Sequence, residues 1–198
     1  MTKELVDELA VLHQIKVKGF ASAERIAAAL GVEVSQVEPL VREAESGGLA
    51  RYREGRVTGF TLTPAGRARH EVLRAAATSA DVAAGLEEAY RAFLAPNRQF
   101  KQLTTEWQTR PEGADTAPLL DRLDELHAAM SRLIAGASAS APRFAFYLPR
   151  LERARAALRG GDASAFARPL SDSYHDVWME LHEDLLSSLA HKRTDADE

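Results

Sequence analysis

The residues best suited to chemistry lie in the second half of the chain, where aromatic side chains alternate with cations and imidazoles. Such a mixture on facing helices can form a pocket for an anionic or aromatic ligand. The same residue types also occur in ordinary helical cores and dimer interfaces, where long cationic side chains reach back to solvent. The sequence leaves both interpretations open. The candidate ligand-binding residues are Lys101, Trp107, His127, Tyr147, Arg150, Tyr174 and Trp178.

Metal binding and catalysis find little support in the residue spacing. His175 and His182 are seven residues apart, whereas a zinc site on one helix needs ligands three or four apart. The carboxylates Glu180, Glu183 and Asp184 form a run that is typical of a solvated helix face. The chain lacks a Gly-rich phosphate loop, a nucleophile elbow and a His-Glu-x-x-His motif. We therefore expect no metal, no cofactor and no enzymatic activity.

Charge divides the chain unevenly. Up to residue 76 there are 11 basic against 10 acidic residues, and beyond it 14 against 19. The basic side chains of the first part collect at residues 51–69, the arrangement that phosphate contacts require. The candidate DNA-binding residues there are Arg51, Arg53, Arg56 and Arg67, with Arg69 nearby.

The stretch that positions these arginines reads as a helix-turn-helix. Ile26, Ala27 and Leu30 share one face of a helix capped by Ser22, and Gly31 marks the turn. The second helix would begin with Ser35 as its N-cap. Its outward positions would read bases, although two glutamates there oppose phosphate. The candidate base-reading residues are Ser35, Gln36, Glu38, Pro39 and Arg42.

A β-hairpin is predicted after the second helix. Residues 49–53 and 57–63 alternate as strands around a turn at 54–56, and Pro64 opens another helix. The run Phe60-Thr-Leu-Thr-Pro-Ala-Gly-Arg resembles the junction between wing and helix in MarR-like and PadR-like transcriptional regulators. The resemblance covers residues 3–76 and implies a winged helix that binds DNA. Glu54-Gly-Arg-Val stands where MarR-like wings often carry Asp-x-Arg.

The remaining residues predict helices only. We expect a first helix over residues 3–18, with His13 on its exposed flank, and a second domain from residue 77. That domain would hold about five helices, interrupted at Ala95-Pro96-Asn97 and at the flexible segment 136–142. The last helix would start near Ser164 or Pro169 and carry an apolar stripe that includes Leu170. The fold class is therefore mostly α: a winged helix in domain 1–76, then a helical bundle in domain 77–198.

Composition limits the classes of protein that remain. The chain has 198 residues and no cysteine, so disulfides and thiol catalysis are excluded. Neither a signal-peptide pattern nor an apolar run of about 18 residues is present, so we expect a cytoplasmic protein without a membrane partner. Two functions follow as hypotheses. One is a regulator that binds double-stranded DNA as a homodimer, joined through its last helix, and senses a small-molecule effector. The alternative is a winged-helix protein-interaction module that does not bind DNA specifically.

Overall fold

α-Helices form most of this protein, and a small antiparallel sheet follows the first three of them. The computed structural model describes residues 6–55 and 58–191. The chain divides into two compact units, Met1–Ser79 and Ala80–Glu198. The prediction of a mostly helical chain with a hairpin after three helices is confirmed.

The first unit contains four helices and two strands within the described residues. Their bounds are α1 Glu8–Lys18, α2 Ala23–Leu30, α3 Val34–Ser46, β1 Ala50–Arg53, β2 Gly59–Leu62 and α4 Pro64–Ala77. The predicted start of α1 at residue 3 is wrong for Val6 and Asp7, because Asp7 is extended and its carboxylate caps the helix at Ala10 N. Residues 3–5 lie outside the described part.

Local signals set the ends of α2 and α3. The Ser22 hydroxyl accepts from Arg25 N, and Gly31 takes the left-handed conformation that ends α2. The predicted N-cap of α3, Ser35, is wrong, since Ser35 lies within the first turn. Glu33 is the N-cap and forms a capping box with Gln36.

The hairpin is hydrogen-bonded to the segment before α2 and is closed at its open end. Tyr52 pairs with Phe60 in the sheet, and Phe60 also exchanges two backbone hydrogen bonds with Ala21, an isolated bridge that the sequence did not indicate. After β2, the Thr63 hydroxyl accepts from Gly66 N and donates to the Gly48 carbonyl. A Cβ on Gly66 would lie 1.9 Å from the Leu49 carbonyl oxygen, so only glycine fits there.

The second unit contains four α-helices and two short 3₁₀ turns within the described residues, where five helices were predicted. The helices are α5 Ala80–Thr109, α6 Ala117–Ser140, α7 Tyr147–Arg159 and α8 Tyr174–Leu189, with 3₁₀ turns at Pro142–Phe146 and Ala163–Ala165.

The predicted break at Ala95-Pro96-Asn97 is wrong, because α5 continues through Pro96. Proline removes one backbone donor, and its usual acceptor, the Ala92 carbonyl, belongs to an exposed residue. The buried face of α5 runs on without interruption from Phe93 to Phe100. Packing against the other helices therefore outweighs the local preference of proline.

Two further boundaries differ from the predictions. The segment 136–140, predicted to be flexible, continues α6, and Ala137 is completely buried there. The last helix begins at Tyr174 after a Ser173 cap, rather than near residue 164 or 169. Leu170 precedes it, is 53% exposed and has a φ of 59°, so it does not join the apolar stripe.

α8 is the central helix of the second unit. Tyr174, Val177, Trp178, Leu181 and Leu185 are each fully buried. Ser187 and Ser188, elsewhere on the helix, are buried as well. The long last helix therefore leaves little exposed surface for a second copy, and dimerisation through it stays a prediction. Among the described helices, none combines the length and apolar character needed to cross a membrane.

Candidate functional site

The outward face of α3 is open to solvent. Its predicted base-reading residues are all exposed: Ser35, Gln36, Glu38, Pro39 and Arg42. Val37 and Val41, on the opposite face, are buried in the core of the first unit. The burial pattern thus leaves the whole candidate face free to meet a partner.

Three of these polar side chains already have partners in α3 or at its N-cap. An Arg42 guanidinium nitrogen lies 3.5 Å from a Glu38 carboxylate oxygen, one helical turn away. The Gln36 side-chain oxygen accepts from Glu33 N at 3.4 Å. Because both Arg42 and Glu38 are more than two-fifths exposed, their ion pair is weak and a ligand can displace it.

The hairpin beside α3 carries exposed arginines. Arg51 and Arg53 are two residues apart on β1 and therefore lie on one face of the strand. Tyr52 points to the other face, where its ring contacts Phe60 at 5.1 Å. The predicted Arg56 lies outside the described residues. The structure thus leaves Arg51 and Arg53 together on a solvent-facing surface.

α4 adds one exposed arginine, and a second that is engaged within the unit. Arg67 is exposed in the first turn of α4. Arg69 makes a two-pronged ion pair with Glu8 of α1, with its shortest contact at 2.7 Å. Hydrogen bonding from Arg69 lowers the pKa of Glu8. Arg69 therefore joins α1 to α4, and Arg67 is the candidate for phosphate contact.

Carboxylates border the same surface. Glu43 and Glu45 are exposed on α3, and a Glu45 oxygen accepts from Tyr52 N at 3.3 Å. A groove of about 220 Å³ lies between the start of α2, α3 and the hairpin, with Glu24, Glu38 and Arg42 among its lining residues. The α3 side of this surface is thus acidic, and the β1 face that carries Arg51 and Arg53 is basic.

His13 is buried, so its predicted place on an exposed flank is wrong. It is 6% exposed, and its Nδ1 lies 3.0 Å from Nε2 of the fully buried His70. The two rings stack across α1 and α4. Burial, followed by the nearby charge of His13, lowers the pKa of His70 to about 4. His70 is therefore held neutral in the core of the first unit.

The candidate ligand residues of the second unit include two tryptophans in aromatic stacks. Trp178 stacks on Phe100 with ring centroids 4.1 Å apart, and its indole N–H donates to the Asn97 side-chain oxygen at 3.0 Å. Trp107 stacks on Phe166 at 4.4 Å. These rings fill the centre of the unit and pack against one another.

Two tyrosines and a histidine are also hydrogen-bonded inside the unit. His127 Nδ1 lies 3.2 Å from the Tyr174 hydroxyl, and burial lowers the pKa of His127. The Tyr147 hydroxyl donates to Asp184 at 2.8 Å. Burial, with the Asp184 charge, raises the pKa of Tyr147.

Arg150 is the cation at the centre of a buried ion-pair network. It is 4% exposed and donates to Glu180 and to Asp172, each at 2.7 Å. Burial alone would lower the pKa of Arg150, but the hydrogen bonds to the two carboxylates raise it. Lys101, the seventh candidate, is partly exposed. The polar atoms of the six other candidates thus meet protein partners or lie within aromatic stacks.

Asp184 and Glu180 were predicted on a solvated face, and that prediction is wrong. Asp184 is 1% exposed and Glu180 is 8% exposed. Both lie in phase with the buried Val177 and Leu181, and this helical phase was visible in the sequence. Asp184 also accepts from Arg143 and Ser188, so the buried carboxylate is well satisfied.

The histidines of the second unit do not converge. His182 contacts the Phe93 ring at 4.8 Å, and His175 faces the Phe100 ring at 6.0 Å. Among residues 6–55 and 58–191, no three His, Asp or Glu side chains gather as a metal-ligand set. Comparisons with protein-family models, curated proteins and solved structures found no match for this chain.

Proposed function

We propose that this chain is a DNA-binding transcriptional regulator whose first unit is a winged helix of the MarR-like and PadR-like kind. The observation that carries the proposal is the open face of α3 beside a hairpin that displays Arg51 and Arg53. An exposed helix and a neighbouring cationic strand are what major-groove binding requires. As a regulator it would act in the cytoplasm and would not be an enzyme.

In this proposal α3 enters the major groove. Arg42 leaves its exposed pair with Glu38 and donates to a guanine edge, while Glu38 accepts from a cytosine amino group. The Gln36 amide N–H groups remain available as donors, because the capping box uses its oxygen. Ser35 and Pro39 lie on the same face and would contact the groove floor or the backbone.

Phosphate contacts would come from the hairpin and from α4. Arg51 and Arg53 would contact the DNA backbone on one side of α3, and Arg67 would contact a further phosphate. The sequence offers Arg56 as a fourth phosphate contact. Four such contacts give a steep salt dependence, since each neutralised phosphate releases counterions.

The second unit would join two copies, so that two winged helices meet a palindromic site one helical turn apart per half-site. A small-molecule effector would have to compete with the internal pairs of His127, Tyr147, Tyr174 and Arg150. It would act by favouring one of two dimer geometries.

The carboxylates of α3 favour a second candidate function, a module that binds a protein. Glu38, Glu43 and Glu45 are exposed on this helix, and Arg42 is paired with Glu38. A basic partner surface would complement this face, whereas DNA phosphate would be repelled by it.

Binding to a labelled duplex from the region upstream of the protein's own coding sequence tests the proposal, against a scrambled duplex, at about 50 and about 200 mM salt. We expect tighter binding to the native duplex. Binding should fall with salt, and replacing Arg51 and Arg53 by Ala should lower the salt slope by about two. The charge-matched control replaces Arg98 and Arg153, which are exposed in the second unit, and should bind as the wild type does.

Two results would refute DNA reading. One is equal, weak binding to both duplexes at both salt concentrations. The other is the same loss in the control variant as in the hairpin variant. Either result would favour the protein-binding alternative. That alternative would then be examined by capturing protein partners on the immobilised wild-type chain and on its Glu43→Lys, Glu45→Gln variant.

A further inference from the structure

A shallow groove of about 410 Å³ runs between α5 and α6, away from the buried network of the second unit. Its walls are made largely of small residues, which leave two helix backbones accessible. On α5 these include Gly85, Ala92 and Pro96, and on α6 Ala129, Gly136 and Ser140.

The length of the groove follows from helix geometry, because α5 and α6 lie antiparallel beside each other. A Cβ on Gly85 would lie 2.0 Å from the Ser140 hydroxyl oxygen, so the helices are close at that end. Eleven residues separate Gly85 from Pro96, and eleven separate Ala129 from Ser140. Pro96 and Ala129 therefore mark the other end, about 16 Å away.

Two charged side chains stand on opposite walls of the groove. Glu88 lies on α5, three residues from Gly85, and Arg132 lies on α6, three residues from Ala129. They are thus displaced toward opposite ends. Both are exposed, and neither makes an ion pair with another residue in the ranges 6–55 and 58–191.

We propose that this groove is where a second copy of the chain docks, in a two-fold symmetric dimer. A carboxylate and a guanidinium on opposite walls, on either side of the centre, form a self-complementary pattern. A two-fold axis perpendicular to the line that joins them places Glu88 against the partner's Arg132. The same operation places Arg132 against the partner's Glu88. Small residues between them let the helices of the two copies approach closely.

Pro96 supplies a further polar feature of the groove. It has no N–H, so the carbonyl oxygen of Ala92 lacks its usual donor four residues later. Both residues line the groove, and a guanidinium from a docked chain would find an acceptor there. α8 is less suited to this contact, because it leaves little exposed surface.

The proposal deepens the dimer of the proposed regulator, and it is tested without DNA so that the two can fail separately. A groove about 16 Å long and two helices wide, about 20 Å, covers about 320 Å², well below the roughly 800 Å² per partner of a standard interface. We therefore expect dissociation in the micromolar range, and the mass should be followed from about 5 to about 500 µM.

Analytical ultracentrifugation of the full chain, with charge-reversed variants, tests the contact directly. Glu88→Arg places two arginines on the groove and Arg132→Glu places two glutamates there, so each variant alone should associate at least about 10-fold more weakly. An equimolar mixture of the two should restore the wild-type association constant, because a carboxylate then meets a guanidinium at both contacts. The double variant E88R/R132E should likewise dimerise.

Glu152→Arg and Arg153→Glu carry the same charge changes on the exposed side of α7 and should leave the association constant unchanged. Circular dichroism and tryptophan fluorescence of every variant establish that it is folded. A wild-type mass of one chain throughout the range would overturn the proposal and leave the groove to a different occupant. Single variants that dimerise like the wild type, or a mixture that remains monomeric, would overturn it as well.

Discussion

Mild acid should loosen the first unit of this protein through His70. This side chain is fully buried between α1 and α4, and its pKa is about 4 in the folded chain, against 6.5 for an unperturbed histidine. The groups that face it are His13 and Lys16 from α1, with Glu71 and Arg74 from α4. All of these except Glu71 oppose a positive charge on the ring.

The sign of this pH dependence follows from the difference between the numbers of protons bound by the unfolded and the folded chain. Well above pH 6.5 the ring is neutral in both the folded and the unfolded chain, so His70 adds no pH dependence there. Between pH 6.5 and about 4 the unfolded chain binds a proton that the folded chain does not. The free energy of unfolding therefore decreases as the pH is lowered through this range. The full difference is about 3 kcal/mol, of which about 2 kcal/mol is lost by pH 5, before most carboxylates titrate.

Hydrogen exchange detected by mass spectrometry can measure this in the intact chain. The slowest amides of peptides from α1 and α4 report the opening of the first unit, after correction for the intrinsic pH dependence of exchange. Their opening free energy should fall by about 2 kcal/mol from pH 7 to pH 5. His70→Gln should remove most of this dependence, while His191→Gln, near the end of α8, should keep it. An equal fall in wild type and His70→Gln would refute the reasoning.

Three substitutions should change stability by different amounts. Gly66→Ala should destabilise the first unit by about 3 kcal/mol or more, because the new methyl group meets the Leu49 carbonyl. Thr63→Val should cost about 1–2 kcal/mol through the lost helix cap. Arg150→Met should cost about 3–5 kcal/mol, because it leaves Glu180 buried without its guanidinium. Urea unfolding measures all three: circular dichroism follows the first two, and tryptophan fluorescence, which reports only the second unit, follows the third.

Each substitution has a matched control. Ala65→Ser, on the exposed side of α4, should change stability by less than about 0.5 kcal/mol. Thr63→Ser keeps the capping hydroxyl and should resemble the wild type. Arg155→Met breaks a partly exposed pair with Asp124 and should cost less than about 1 kcal/mol. A substitution that matched its control would contradict the mechanism given for it.

Local signals made the first unit readable from sequence. The Ser22 hydroxyl caps the start of α2, and Gly31 ends that helix in the left-handed conformation. The Thr63 hydroxyl, followed by Pro64, begins α4 in the same way as Ser22 begins α2. The capping box at Glu33 was also local, but the nearby Ser35 offered a competing N-cap. Arg51 and Arg53 are exposed on β1, as the charged type of both residues indicates.

Distant partners explain what the sequence did not reveal. Pro96 is tolerated because the helix face that includes Phe93 is buried against other elements. Asp184 is buried because Tyr147, 37 residues earlier, donates to it. His13 is buried because His70, 57 residues later, meets its ring. Residue type alone places such polar groups at the surface, and only the three-dimensional pairing reverses that expectation.

The central position of α8 has a consequence for biosynthesis. The aromatic core of the second unit closes around Tyr174 and Trp178, and the buried carboxylate of Asp184 belongs to the same helix. During translation α5, α6 and α7 emerge first and must wait for α8 with their apolar faces uncovered. The first unit, whose elements are all complete by Ala77, can fold in that interval. Ribosomes that stall after α6 has been made and before α8 would therefore present a folded first unit joined to an exposed, aggregation-prone segment.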